Sequence, residues 1–168
     1  MYLVGFFILG GYMASEVVSK RDQMNMIANQ LAPFIAKSKQ SVQVSEHDAP
    51  VFLQSMREGL LTISELMTKA QYSLSKSKIE KERVESVLRI EKFPEWAAEK
   101  NLQKPTEKDK QAFICIQPEY QMAQEDEAYW ESVYSYLSSV RSVLSISIDD
   151  VKKNIYGRTN FNNINIRA

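Results

Sequence analysis

Between Gly11 and Gly157 the chain has one glycine, Gly59, while all five of its prolines (Pro33, Pro50, Pro94, Pro105, Pro118) fall in that stretch. Tight hairpin turns and phosphate-cradling loops both lean on glycine, the residue that enters positive-φ backbone without strain. A many-stranded sheet or a phosphate-binding loop is therefore hard to build here. Neither G-x-x-x-x-G-K-[ST] nor G-x-G-x-x-G occurs. What remains is helix punctuated by proline. The expected fold is all-α: an elongated helical hairpin or bundle with long, coiled-coil-like helices, assembling into oligomers. Its expected parts are an apolar arm (1–14), a helix and link (15–45), a long-helix hairpin domain (46–157) and a polar tail (158–168).

Helix periodicity supports that division. Val18, Met24, Ile27, Leu31 and Ile35 mark a first helix from about Ser15 to Lys39, with a bend at Pro33. In the following link, Val42 and Val44 suit a brief strand, though nothing nearby pairs with it. Asp48 is placed as an N-cap and Pro50 in the first turn of a second helix. Phe52, Met56, Leu60, Ile63, Met67, Ala70 and Leu74 then recur at steps of three and four, continued less regularly by Val84, Val87, Leu88 and Ile90. Run to Lys92, that helix is roughly 60 Å long at 1.5 Å per residue, too long to bury itself, so it needs an antiparallel partner. Residues 93–105 read as a linker with a short helix from Pro94 to Glu99. Thr106 and Asp109 resemble a capping box that opens a helix to about Ile116. A last helix starts near Glu119 and ends at Gly157, its stripe formed by Trp130, Val133, Leu137, Val140, Leu144 and Val151 with Tyr129 and Tyr136 beside it.

Composition excludes several chemistries. With one Cys (Cys115) and one His (His47), neither an internal disulfide nor a zinc site of Cys and His alone can form. A catalytic triad would have to use His47, which lies in a helix-start pattern and reads as a solvated capping residue. Glu125, Glu127 and Glu131 lack the E-x-x-H pairing of a di-iron bundle. No metal, no cofactor and no enzymatic activity is expected. The apolar run Tyr2–Ala14 is too short to span a bilayer as a helix, which needs about 20 residues, and no basic segment precedes it as in a signal peptide. It suits an arm packed in an assembly, or an extension upstream of an alternative start at Met13; a membrane role is disfavoured and a cytoplasmic location expected.

The chain carries 21 Lys and Arg against 21 Asp and Glu, but the balance is not local. Residues 119–150 hold one basic and seven acidic side chains, and the seven cations between Lys69 and Lys92 face only four acids. Lys78, Lys81, Arg89 and Lys92 follow one face of the second helix, with Lys76 and Arg83 beside it. Such a strip suits a phosphate backbone; read from this chain alone, it suits better a solvated face laced with pairs such as Glu85 to Arg89. The acids Glu125–Glu127 and the bases Lys152 and Lys153 are explained by the dipole of the last helix. Tyr129, Trp130, Tyr134 and Tyr136 could stack on bases, but aromatics at helical spacing more often build core or interface.

The basic segment KSKIEKERVESVLRIE, the helix start KPTEKDKQAF, the acid-and-tyrosine stretch QPEYQMAQEDE and the pair Tyr129-Trp130 before a long terminal helix form a layout over residues 68–157. It resembles the UvsY-type phage recombination mediators. The resemblance implies a non-enzymatic accessory that binds single-stranded DNA, contacts the single-strand binding protein and helps load a RecA-like recombinase. It implies phosphate contacts from Lys76, Lys78, Lys81, Arg83 and Arg89, which the strip extends to Lys92. It also implies a homo-oligomer interface at Trp130, Val133, Leu137, Val140 and Leu144. The family's Lys-x-Arg motif is only approximated by Lys81-Glu82-Arg83, and residues 1–45 have no counterpart in it. The alternative is a helical structural or adaptor protein, such as a virion or assembly component, self-associating through the apolar arm and heptad seams.

Overall fold

A computed structural model of the chain describes residues 19–164, with backbone alone for Tyr156 and for residues 158–164. The apolar arm, residues 15–18 and the last four residues of the tail lie outside the described residues. Five α-helices follow in order: α1 (Lys20–Ser38), α2 (Ala49–Val87), α3 (Phe93–Glu99), α4 (Glu107–Cys115) and α5 (Pro118–Ile164). A 3-10 turn occupies Ser41–Gln43 and a π-helical turn Leu88–Lys92. No strand occurs among the described residues, so the chain is all-α. Val42 and Val44 flank or join the 3-10 turn rather than a strand.

Local chemistry sets the helix ends. The Ser19 hydroxyl accepts the Asp22 N–H at 3.1 Å, closing the start of α1. Pro33 stays inside α1. At the start of α2, Asp48 occupies the cap position but its carboxylate takes no helix N–H. It accepts the Ser45 hydroxyl at 2.6 Å, and Ser45 Oγ in turn accepts the Asp48 N–H at 3.2 Å. The capping role assigned to Asp48 thus passes to Ser45. Thr106 and Asp109 form the expected reciprocal box, with bonds of 3.3 and 2.8 Å.

Two helix ends depart from expectation. Pro94 does not stop the second helix: α2, the π turn and α3 run on in sequence from Ala49 to Glu99. Proline cannot donate to the carbonyl four residues back. The chain slips into π register just before it, the Phe93 N–H reaching Leu88 O, so the helix continues past the missing donor. The real stop is at Asn101, with φ 54°. Its N–H donates to Ala98 O and the Leu102 N–H to Ala97 O, both at 3.0 Å, a Schellman ending with Asn where Gly is commonest. Gly157 likewise does not end α5, which continues to Ile164, since one glycine weakens a helix by only about 1 kcal/mol.

α2 and α5 pack antiparallel along their length. Gly59 meets Leu144, Lys78 meets Glu131, Lys81 meets Glu127 and Lys92 meets Glu119, one register running along both helices. α1 lies in the groove between them, parallel to α5, joined by Lys20–Asp126 at 2.5 Å, the Tyr129 hydroxyl donating to Gln23 at 3.3 Å, and the Ser147 hydroxyl donating to Ser38 O at 3.3 Å. The main core unites Leu31 from α1, Met56, Ile63 and Ala70 from α2, and Val133, Leu137 and Leu144 from α5. A second core, with Leu88, Phe93, Phe113, Ile114 and Tyr120, closes the apex where α3 and α4 turn the chain back.

All three helices meet at Gly59. A Cβ there would lie 2.8 Å from Leu144 Cδ1 and 2.9 Å from Phe34 Cγ. Leucine's terminal methyl can rotate away; a ring wedged between helices cannot. Gly59→Ala gains about 1 kcal/mol of helix propensity, against about 1–3 kcal/mol of overpacking. The expected outcome, read by urea denaturation, is net destabilisation that Phe34→Leu relieves in the double variant. A Gly59→Ala protein more stable than the parent would refute this close packing.

Candidate functional site

The strip proposed for phosphate contact lies along the seam between α2 and α5, and acids from the same chain occupy it. Lys81 Nζ donates to Glu127 at 2.7 Å, and Lys78 lies 3.4 Å from Glu131. Arg83 forks onto Glu80 at 2.7 and 2.9 Å. Arg89 pairs with Glu85 at 3.1 Å and also with Glu107 at the start of α4. Lys92 pairs with Glu119 in the first turn of α5. Lys76 is exposed, near enough to Glu80 to help hold its carboxyl low. The cations are thus already matched to carboxylates, three of them across to α5 and one to α4.

The electrostatic consequences follow the pairing. The Glu127 hydrogen bond raises the Lys81 ammonium pKa. Lys92 beside Glu119, Arg89 beside Glu107 and Arg83 beside Glu80 hold these carboxyls below their ordinary value. The acids Glu125–Glu127 lie two turns inside α5, beyond the reach of the dipole at its first turn. Lys20 and Lys81 account for Asp126 and Glu127 instead. Lys152 and Lys153 also sit well before the end of α5, so the dipole does not explain them.

The residues assigned to a subunit interface lie elsewhere than expected. Val133, Leu137, Val140 and Leu144 are 1%, 0%, 6% and 0% exposed, consumed by the chain's own hairpin. Trp130 is half-buried against the same core, its ring 5.0 Å from that of Tyr129 in an edge contact. The aromatics do not form an open stacking platform: Tyr129, Trp130, Tyr134 and Tyr136 all pack on the main core, and burial pushes the Tyr129 hydroxyl pKa up. The heptad seam of α2 is internal for the same reason.

One shallow, open cleft beside the π turn is lined by Arg83, Val84, Val87, Leu88, Lys92 and Glu119. Among the described residues no group of three or more His, Cys, Asp or Glu could hold a metal ion, and no helix is long and apolar enough to cross a membrane. His47 is exposed in the turn before α2. Cys115 is exposed at the end of α4, where its sulfur accepts a Gln111 amide contact at 3.4 Å.

One surface feature was not anticipated. Leu61, Tyr72, Ile79 and Ile90 of α2 and its π turn are 67%, 73%, 67% and 72% exposed. Ile90, read from sequence as a continuation of the seam, belongs to this outer set. The spacing of 11, 7 and 11 residues was visible in the sequence, but polar residues between the four diluted it below the stronger inner repeat. The chain matches no family model, no curated protein and no solved structure.

The depressed carboxylates carry a sign. A group whose folded pKa is lowered contributes stability that is whole above its unfolded value and is lost as pH falls through the folded one. The pairs on Glu107 and Glu119, which join different elements, therefore stabilise the hairpin at neutral pH, that on Glu80 stabilises α2 itself, and all lose that effect as pH drops below about 4.5. Thermal melts should show Glu107→Gln/Glu119→Gln less stable than the parent at pH 7, with the gap narrowing in acid well below the ordinary carboxylate range. An equal gap at neutral and acid pH would show that the pairs contribute nothing.

Proposed function

We propose that this chain is a non-enzymatic structural or adaptor protein, an elongated helical hairpin that self-associates through its outer surface. The observation that carries the reading is the exposed apolar line of α2, Leu61 to Ile90, on a helix whose inner seam is already satisfied. Four large apolar side chains in a line give another helix something to bury. The contact is assigned here to the outside of α2, because the inner heptads are occupied within the hairpin. Static light scattering in the micromolar range should give a mass above the 19.3 kDa of one chain. Tyr72→Glu/Ile79→Glu should return it to a monomer with helical circular dichroism intact. A parent that stays monomeric throughout would end this reading.

A single-stranded DNA-binding mediator that loads a RecA-like recombinase is the second reading. It is favoured by the half-open character of the strip, since Lys78, Arg83 and Lys92 keep 49%, 62% and 49% of their side chains exposed. Phosphates would have to displace Glu127, Glu131, Glu80 and Glu119, a competition that salt further weakens. Fluorescence anisotropy with a single-stranded oligonucleotide tests it. Binding at low salt that Lys78→Ala/Lys81→Ala/Arg83→Ala abolishes would restore the mediator reading; no binding, or binding unchanged in the variant, would remove it.

A further inference from the structure

The exposed line on α2 has a geometry of its own. An α-helix turns 100° per residue, so steps of 11 and 7 bring Leu61, Tyr72 and Ile79 back to within about 20° of one direction, and Ile90, a further step of 11 on in the π turn, is exposed as they are. Ile63, Ala70 and Leu88, all buried, point about 180° away from it. The four therefore form one straight ridge on the face turned away from the core. Its spacing is also a palindrome, reading 11, 7, 11 from either end. A face with that property matches itself when turned end for end, the condition for a twofold, self-complementary contact.

We infer that this ridge is the contact between two copies of the chain, packed antiparallel about a twofold axis that passes between Ser75 and Lys76. The inference rests on the self-association reading above and specifies which surfaces meet and in what register. In this arrangement Leu61 of each copy faces Ile90 of the other, and Tyr72 faces Ile79. Charge supports the same alignment. Glu65 and Arg83 flank the ridge on the same side, about 30° from its centre, and lie symmetrically enough about the axis that Glu65 of one copy comes within one helical turn of Arg83 of the second. The twofold makes this ion pair twice. Arg83 already forks onto Glu80, and a guanidinium with five donors can serve a second carboxylate. Lys76 opposes the contact, because its two copies meet beside the axis. Lys76→Gln should therefore tighten the pairing.

Cysteine cross-linking distinguishes this register from others. In a Cys115→Ser background, Tyr72→Cys and Ile79→Cys are prepared separately, incubated alone and mixed under oxidised glutathione, and followed by non-reducing electrophoresis. Antiparallel packing brings position 72 of one chain to 79 of the other. It leaves 72–72 and 79–79 about 10 Å apart along the axis, beyond disulfide reach. The mixture should form covalent dimer at least about tenfold faster than either variant alone. Glu65→Arg should weaken the dimer in light scattering, and adding Arg83→Glu should restore it. Variants that cross-link alone as fast as the mixture would overturn the inference in favour of a parallel dimer while leaving self-association standing. No cross-link in a protein that light scattering shows to be oligomeric would place the contact on another face. No cross-link together with a monomeric mass would overturn both readings.

Discussion

The fold depends on two long helices finding each other. α2 and α5, of 39 and 47 residues, are each too long to be covered by local structure. Isolated in water, such helices gain little from propensity alone and need tertiary burial of an apolar face. Met56, Ile63, Leu137 and Leu144, fully buried where the two meet, supply it, each contributing about 1.5–3 kcal/mol by removal from water. α1 completes the cover in the groove, and Gly59 lets it come close enough for Phe34 to touch α2 backbone and Leu144 together. The one glycine within this stretch of helix thus sits where a side chain would separate three elements.

Charge follows packing. Overall neutrality resolves into a basic second half of α2 and an acidic first half of α5, and antiparallel pairing lays one against the other. Lys78, Lys81 and Lys92 find Glu131, Glu127 and Glu119 in register. Surface pairs of this kind are individually weak, worth about 0–1 kcal/mol. Their combined effect is to favour this register over shifted ones that would juxtapose like charges. The same pairing changes the functional argument. A cation strip seen alone suggests a polyanion, whereas a strip already neutralised within the molecule leaves the outer apolar ridge as its most distinctive open surface.

The parts of the fold legible in the sequence were those with strong local causes. The 3–4 repeat from Phe52 to Leu74 and the Thr106–Asp109 box are signals that neighbouring residues complete among themselves. The expectation failed where a longer-range or compensating event intervened. Pro94 read as a stop because one missing donor ends an ordinary helix, but a π turn absorbed the defect. Asn101 was overlooked because a left-handed ending is commonly read from glycine. The candidate sites fared less well. Val133, Leu137, Val140 and Leu144 were rightly grouped as one apolar stripe, yet no periodicity says whether such a stripe meets its own chain or another.

By itself, the sequence determined the helical class, the long antiparallel design and the segregation of charge, because each is a local or compositional property of residues in order. Only the tertiary structure decided which partner each face takes. It gave the terminal stripe to α2 of the same chain, the basic strip to the acids of α4 and α5, and left Leu61, Tyr72, Ile79 and Ile90 outside. The physical reason is that an apolar or charged face specifies what it needs, burial or a counter-ion, without specifying who provides it. That choice is settled by which element the chain can bring alongside in register.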